Sequence, residues 1–248
     1  MWAGAWEIRR FAEIDSTNTY VLDQARKGAA EGLVAVADHQ TAGRGRLDRR
    51  WESPPGANLL ASILLRPACG AEDLHLCSGA VALAAADACA EVAAVAPVLK
   101  WPNDLLVDGS KLAGVLAEAE FDGTRLRGVV VGIGLNVAWP GPAGASGTCL
   151  DELADMSQPV DKALLLDLLL EGLARRRPLL DDEAGRRTLA DEVRRRCATV
   201  GERVRVTVPN EELTGVASAI DDAGHLVVET AAGRRLVSAG DVVHLRPV

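Results

Sequence analysis

Two short stretches hold most of the residues able to do chemistry. The first, TAGRGRLDRRW from Thr41 to Trp51, sets Arg44, Arg46, Arg49 and Arg50 against one acid, Asp48. That is a local charge of about +3 in a chain of formal net charge −8. Gly43 and Gly45 let backbone N–H groups approach a ligand closely, and guanidinium groups are planar, permanently charged donors, so the loop suits a phosphate or a carboxylate. Read alone, it is also simply a solvated basic loop. The second is KWPNDLL, Lys100 to Leu106, with KLAG, Lys111 to Gly114, close behind. Pro102 cannot continue a strand ladder, so Asn103 and Asp104 fall on a turn, where they can face a ligand or close an Asx-turn. Lys111 follows the turn signal Asp108-Gly109 and on its own is expected to face solvent. A third group, DSTN from Asp15 to Asn18, can cap a helix or hydrogen-bond a neutral ligand with several donors, such as a urea or amide.

Other chemistries are not signalled. G-x-x-x-x-G-K-[ST] is absent, and VGIGLN holds only a G-x-G, so neither a Walker loop nor a dinucleotide fingerprint is supported. The four histidines, at 39, 75, 225 and 244, are scattered, and only His39, beside Gln40, is expected near a site. Five cysteines, at 69, 77, 89, 149 and 197, form no C-x-x-C pair and read as reduced, mostly buried thiols of a cytosolic protein.

The elements that must position these groups follow from periodicity and punctuation. WEIRRFAEID, GLVAVADHQ, NLLASILLRP and RGVVVGIGLNVAW read as strands, and Asp15 or Ser16 caps a helix from Thr17 to about Lys27. An alanine-rich run from about Glu72 to Val95 predicts a helix packed on a sheet. VLKWPNDLLVDGSKLAGVLAEAEF predicts a strand, a proline turn and a hairpin with Asp108-Gly109 at its tip. Two further helices, about Lys162 to Arg176 and Ala184 to Cys197, carry arginines on their outer faces. From Thr199 the texture changes to short strands and turns, which predicts a small β-barrel appended to the larger domain, with the boundary at 198/199.

The 248 residues allow one large domain, or a large and a small one, with a real core. A pI near 5.1 argues against a general nucleic-acid or membrane-surface binder, so any anion site is local. The N-terminus lacks a secretory signal pattern, and apolar runs such as LLLDLLLEGL are too short and interrupted to span a bilayer. Only four of the 27 basic residues are lysine, and two of those, Lys100 and Lys111, lie in the second stretch.

In order and spacing, DSTN, HQTAGRGR-x-x-R-x-W, KWPND, KLAG and GIGLN resemble the catalytic core of the biotin–protein ligases. The tail GVASAIDDAGHLVV with GDVVHLRP resembles that family's C-terminal SH3-like domain. The resemblance runs from about residue 8 to 248, and KWPND with GRGR separates it from the related lipoate ligases. It implies an α+β fold: a mixed β-sheet catalytic domain flanked by helices (1–198) with a small SH3-like β-barrel (199–248). It implies activation of biotin with ATP and Mg²⁺ to biotinyl-AMP, then transfer to a lysine of a carrier protein of biotin-dependent carboxylases. By the match, Ser16, Thr17, Asn18 and Gln40 face biotin's ureido end. Gly43, Arg44, Gly45 and Arg46 form the biotin and acyl-phosphate loop. Lys111, with Gly114 beside it, binds the biotin carboxylate. Arg49, Trp51, Asn103, Gly134, Asn136 and Arg246 serve the nucleotide, and Asp104 holds Mg²⁺ or orients the incoming amine.

There are two departures from the family pattern. Leu47 and Asp48 stand where a basic residue and a glycine are usual, which restricts the loop's dihedral choices. The catalytic motifs begin by residue 15, so the expectation is a cytoplasmic ligase without the DNA-binding domain of repressor members, a monomer or weak homodimer with no membrane role. A lipoate or octanoate ligase, and a non-catalytic biotin or adenylate sensor favoured only by Asp48, are the alternative readings.

Overall fold

The computed structural model describes residues 4–123, 125–154, 158–208, 211–238 and 240–245. β1 (Glu7–Ile14), α1 (Thr17–Arg26) and β2 (Leu33–Gln40) make a β-α-β unit whose strands run parallel. Ser16 begins the helix as its extended N-cap, accepting the Thr19 N–H. β3 (Leu59–Leu65) precedes α2 (His75–Ala93), and β4 (Val98–Lys100), β5 (Asp104–Val107), β6 (Ser110–Asp122) and β7 (Arg125–Leu135) then pair antiparallel. The sheet order is β1-β2-β3-β7-β6-β5-β4, a mixed sheet. At the β5–β6 turn Asp108 and Gly109 both have positive φ, 49° and 79°, as a tight hairpin requires.

The central strands β2, β3 and β7 read as near-continuous apolar runs because both faces are covered. On one face Val21, Leu22 and Ala25 of α1 pack on Leu33, Ala35, Leu64 and Val130. On the other, Val34, Val36, Ile63, Leu65, Val129, Val131 and Ile133 join the main core beneath α2. α1 is only ten residues long, so it covers only part of its face. The uncovered part holds the candidate site.

α2 differs from expectation in one respect. The run Ala71–Ala93, rather than LLLDLLLEGL, is long and apolar enough by composition to cross a membrane, but 67% of its most apolar 18 residues is buried inside the protein. It is apolar all round because it packs between the sheet and α4 (Lys162–Arg176), after the short α3 (Leu150–Leu153), with α5 (Glu183–Arg196) alongside.

The arginines of these helices are not simply solvated. Arg176 bridges Asp87 at 2.7 Å and Glu192 at 2.5 Å, and Arg196 reaches Asp87 at 2.5 Å. Burial pushes the Asp87 carboxyl up, but the hydrogen bonds from Arg196 and Arg176 outweigh it and hold the group below its usual range. Just past α4, Arg177 is 4% exposed and joins Glu31, Asp181 and the Arg66 carbonyl. Helical periodicity identified the face but not the acids that come to meet it.

The C-terminal unit is a five-stranded antiparallel sheet. Its strands are β8 (Arg203–Val208), β9 (Glu211–Ile220), β10 (Leu226–Thr230), β11 (Gly233–Val237) and β12 (Asp241–His244), in the order β11-β10-β9-β8-β12. Among the described residues β11 and β12 are the sheet's two edges and do not pair with each other. This unit grips the KWPND turn. The Trp101 N–H donates to Thr199 Oγ1 at 3.0 Å, Trp101 Nε1–H to the Gly224 carbonyl at 2.9 Å, and the Ala198 N–H to the Leu99 carbonyl at 2.8 Å.

Candidate active site

Strand register decides which side chains share the open face. Gly114 lies opposite Gly134, Asp104 opposite Gly114, Lys100 opposite Asp104 and Ser62 opposite Gly132, so all six lie on the sheet face that carries α1, at and beyond the helix's N-terminal end. A Cβ on Gly132 would collide with Asn18, and one on Gly134 with the ring of Trp51. The floor is therefore bare backbone. Above it lies a cavity of about 140 Å³, lined by groups from DSTN, Gln40, the arginine loop, Asn103, Asp104 and Lys111. Of the residues expected at the site, this cavity brings together Ser16, Thr17, Asn18, Gln40, Arg44, Gly45, Arg46, Arg49, Trp51, Asn103, Asp104, Lys111, Gly114 and Gly134.

The polar end is built on the start of α1, and capping and site-building turn out to be compatible. Ser16 caps the helix, while Thr17 and Asn18, 3% and 4% exposed, form a network. The Thr17 N–H and hydroxyl both donate to Gln40 Oε1, at 2.8 and 3.0 Å. Ser62 donates to Thr17 Oγ1 at 2.7 Å or Asn18 Oδ1 at 2.5 Å, and Asn18 Nδ2 donates to Glu118 at 2.8 Å. Such preorganised short polar groups fit a neutral ligand that both donates and accepts. His39, one residue before Gln40, lies on the opposite face of β2 and pairs with Glu13 at 2.9 Å, so it is not among the cavity's lining residues.

The arginine loop is itself a small hairpin. Arg44 bridges to Arg50 in antiparallel fashion, the Trp51 N–H donates to the Gly43 carbonyl at 3.0 Å, and the Arg49 N–H closes a turn on the Arg46 carbonyl at 3.2 Å. The turn's central residues, Leu47 and Asp48, have φ of 54° and 58°. This left-handed conformation costs a non-glycine residue about 1–2 kcal/mol, so the departure in sequence is also a departure in backbone strain. A Cβ on Gly43 would collide with the Trp51 carbonyl. Arg46 is half-buried and donates to Asn103 Oδ1 at 3.3 Å; burial pulls its guanidinium below the usual arginine value, opposed by Asp241 and Asp104. Arg44 pairs with Glu118 at 2.7 Å, Arg49 with Asp241, and Arg50 with the Thr41 carbonyl at 2.8 Å.

Lys111 faces the site, not solvent. A register shift at Leu105/Leu106 re-aims this end of the hairpin. Lys111 Nζ stands 2.6 Å from Asp104 Oδ1 and 5.5 Å from the centre of the Trp51 ring. Among the described residues that carboxylate oxygen is buried with no partner in hydrogen-bond geometry, although the ion-pair distance is short, and Trp51 Nε1 is likewise buried without one. Asn103 Nδ2 donates to the Val115 carbonyl at 2.8 Å, which fixes its Oδ1 toward Arg46. Nearby Lys100 is lowered by burial, with Asp104 opposing.

A second cavity, of about 450 Å³, adjoins the first along Trp51, Lys111, Asn136 and the segment 140–147. Asn136 is a scaffold on that wall. Its amide donates to the Pro140 and Thr148 carbonyls, both at 3.0 Å, and shapes the loop between them. Arg246 lies outside the described residues.

A sequence model described as the biotin/lipoate A/B protein ligase family matches residues 11–136. The chain belongs to that family. The biotin protein ligase C-terminal domain matches residues 199–245. Among the family's members, the biotin–[acetyl-CoA-carboxylase] ligase of Mycobacterium tuberculosis is 39% identical over 245 residues, 95% of this chain and 88% of that one. The enzyme of the same name from Paracoccus denitrificans is 35% identical over 239 residues, 93% and 98% of the two chains. A solved structure, the biotin protein ligase from Aquifex aeolicus in complex with biotin and ATP, matches with a TM-score of 0.79 at 25% identity, covering 97% of this chain and 99% of that one.

Three residues that hold the cavity's lining groups in place escaped the sequence reading. Glu118 joins Asn18 and Arg44, Asp241 holds Arg49 from the C-terminal sheet, and Ser62 completes the polar end. Glu118 sits four residues past Gly114 on the same strand face, a period-2 signal that could have found it. Nothing local marks Asp241, which meets Arg49 across 192 residues.

Proposed function

We infer that this protein is a biotin–protein ligase, which joins biotin to ATP as biotinyl-AMP with release of pyrophosphate and passes the biotinyl group to a carrier lysine. The observation that carries this reading is the convergence of the polar end, the arginine loop and Lys111 on one cavity, in a chain whose relatives bear that name. Biotin's ureido ring lies against Thr17, Asn18 and Gln40, with Ser16 behind them, and its tail runs over the glycine floor beneath Trp51. Its carboxylate meets Lys111 and Arg46. The nucleotide takes the adjoining cavity between Trp51 and residues 140–147, its phosphates toward Arg49 and the N–H groups of the glycine loop.

In the first step a carboxylate oxygen attacks the α-phosphorus, and the bond to the β-phosphate oxygen breaks. Two anions must meet, so the work of the site is positioning and charge neutralisation, supplied here by half-buried Arg46 and by Lys111. No covalent nucleophile is needed, because the mixed anhydride is already activated. In the second step the carrier amine attacks the acyl carbon and AMP leaves. Asp104, with its buried oxygen beside Lys111, orients that amine and accepts its proton.

Among the described residues no three potential ligands gather as a metal centre. The carboxylates lining the cavity, Asp104 and Asp241, fit Mg²⁺ carried in on the nucleotide, which characteristically takes only one or two carboxylates from a protein. Asp104 is the residue that would hold it, and the ion would neutralise phosphate charge. The acceptor class is a carrier domain of biotin-dependent carboxylases, the compartment is the cytoplasm, and residues 1–198 and 199–248 are the catalytic and C-terminal domains.

The test is biotinylation of a purified carrier domain with ATP and Mg²⁺, read by mass. Biotin is expected to be incorporated, whereas lipoate or octanoate in its place is not. Incorporation of lipoate but not biotin, or biotin binding without pyrophosphate release by folded protein, overturns the reading.

A further inference from the structure

Glu118 stands where the polar end of the cavity meets the arginine loop. It lies on β6 and keeps 22% of its side chain exposed. Its two carboxylate oxygens serve different partners: Asn18 Nδ2 donates to Oε2 at 2.8 Å, and Arg44 donates to Oε1 at 2.7 Å. One carboxylate therefore ties α1 and the loop to the same strand. Asn18 is 4% exposed, so its hydrogen bonds are not open to exchange with bulk water.

An amide side chain can be turned over with almost no change in shape, and its two orientations show a ligand opposite polarity. The carboxylate decides between them. An ionised carboxylate only accepts, so the atom of Asn18 that faces Glu118 must be Nδ2. The other Nδ2 hydrogen goes to the Leu116 carbonyl at 3.4 Å, so both donors are spent on β6. Oδ1 is left over the cavity floor, the atom nearest to where a Cβ on Gly132 would stand. Gln40 is oriented the opposite way by the same logic: its Oε1 takes the Thr17 N–H and hydroxyl, which leaves Nε2 to donate. With its proton on Gln40, the Thr17 hydroxyl can only accept from a ligand. The polar end thus offers acceptors at Asn18 and Thr17 and a donor at Gln40, the complement of a cyclic urea.

We propose that Glu118 is a specificity-determining positioning residue, which holds the Asn18 amide in the one orientation that demands an N–H from the ligand. The proposal rests on the biotin reading of the site and deepens it. Glu118 does not touch the ligand; it acts through Asn18. Glutamine in its place has the same shape but one accepting and one donating end. With its carbonyl turned to the Arg44 guanidinium, its own N–H faces Asn18. The Asn18 amide then turns over to accept it, and presents Nδ2 where Oδ1 had been. The site would then meet a ligand N–H with another N–H, and would tolerate an oxygen there.

The test is calorimetry on the full chain with biotin and with its two cyclic carbamate analogues, each carrying an oxygen in place of one ureido N–H. Wild-type protein should bind biotin and reject at least one carbamate by roughly 10²-fold or more, because a buried acceptor is left facing an oxygen. Glu118→Gln should weaken biotin roughly ten- to hundredfold and lower that discrimination ratio by at least about tenfold, in protein that is still folded. In an Asn18→Ala background the same substitution should no longer move the ratio, since the amide it acts through is gone. If Asn18→Ala fails to fold, the ratio in the single variant decides. A Glu118→Gln protein that weakens biotin and carbamate equally overturns the proposal, as does an unchanged shift of the ratio without the Asn18 amide. Wild-type protein that binds no biotin overturns the reading of the site along with it, whereas a preserved ratio overturns the role of Glu118 alone.

Discussion

The protein uses arginine in two opposite ways. In the loop from Gly43 to Trp51, Arg44 and Arg49 keep 45% and 64% of their side-chain surface exposed, and each is held by one acid from a distant element. Around α4 and α5, Arg176 and Arg177 keep only 12% and 5%, and each engages two acids. A cation held by one exposed contact can exchange that contact for a ligand's anion at little loss. A cation buried among several acids is committed to the fold, because removing any partner leaves charge uncompensated. Arginine content alone does not separate a site from a scaffold; the number and burial of the partners does.

The sharpest way to break this contrast is at the chemical end. Lys111→Ala should lower biotin-dependent pyrophosphate exchange by roughly 10²–10³-fold while leaving the fold intact. A near-normal rate removes Lys111 from the chemistry. The scaffold side is tested by Glu31→Gln, which takes one of its two acids from buried Arg177 and should cost about 3 kcal/mol in urea unfolding without changing turnover of the folded fraction. If turnover falls with it, the two arginine classes are not independent.

Smaller effects sharpen the line. Arg46→Ala removes one charge-assisted contact worth about 1.5–3 kcal/mol, so calorimetry should show roughly ten- to hundredfold weaker biotin binding. Unchanged affinity would count against the loop assignment. Asp87→Asn loosens Arg176 and Arg196 and should cost about 1 kcal/mol at neutral pH. The Asp87 carboxyl is lowered in the fold, so its contribution is present above the ordinary value of 3.8 and disappears as pH falls through the lower folded value. The gap between wild type and variant in thermal melts should therefore close in acid and stay constant above about pH 5. Least of all, Asp241→Asn should change stability by less than about 1 kcal/mol, since its pair with Arg49 is exposed; a larger loss would move Arg49 into the scaffold class.

The elements were legible because their signals are local: period, caps, Asp108-Gly109 and Pro102 fix where strands and turns fall. The order of the motifs also identified which residues gather. The direction of Lys111 was not legible, because it depends on a register shift one strand away. Asp241 and Glu118 were hidden for a different reason, since their partners lie 192 and 74 residues off. Leu47 and Asp48 were flagged as unusual, and their positive φ shows that the loop keeps its hairpin shape without the glycine.

The bare floor formed by Gly114, Gly132 and Gly134 has a consequence for how this site can change over generations. Glycine is the one residue from which every substitution adds atoms. At Gly132 and Gly134 the space for even a methyl group is already taken, by Asn18 and by Trp51. Random drift at these positions can therefore narrow the chamber but never widen it. Room for a bulkier acid would have to come from the roof, by trimming Trp51 or reshaping the arginine hairpin.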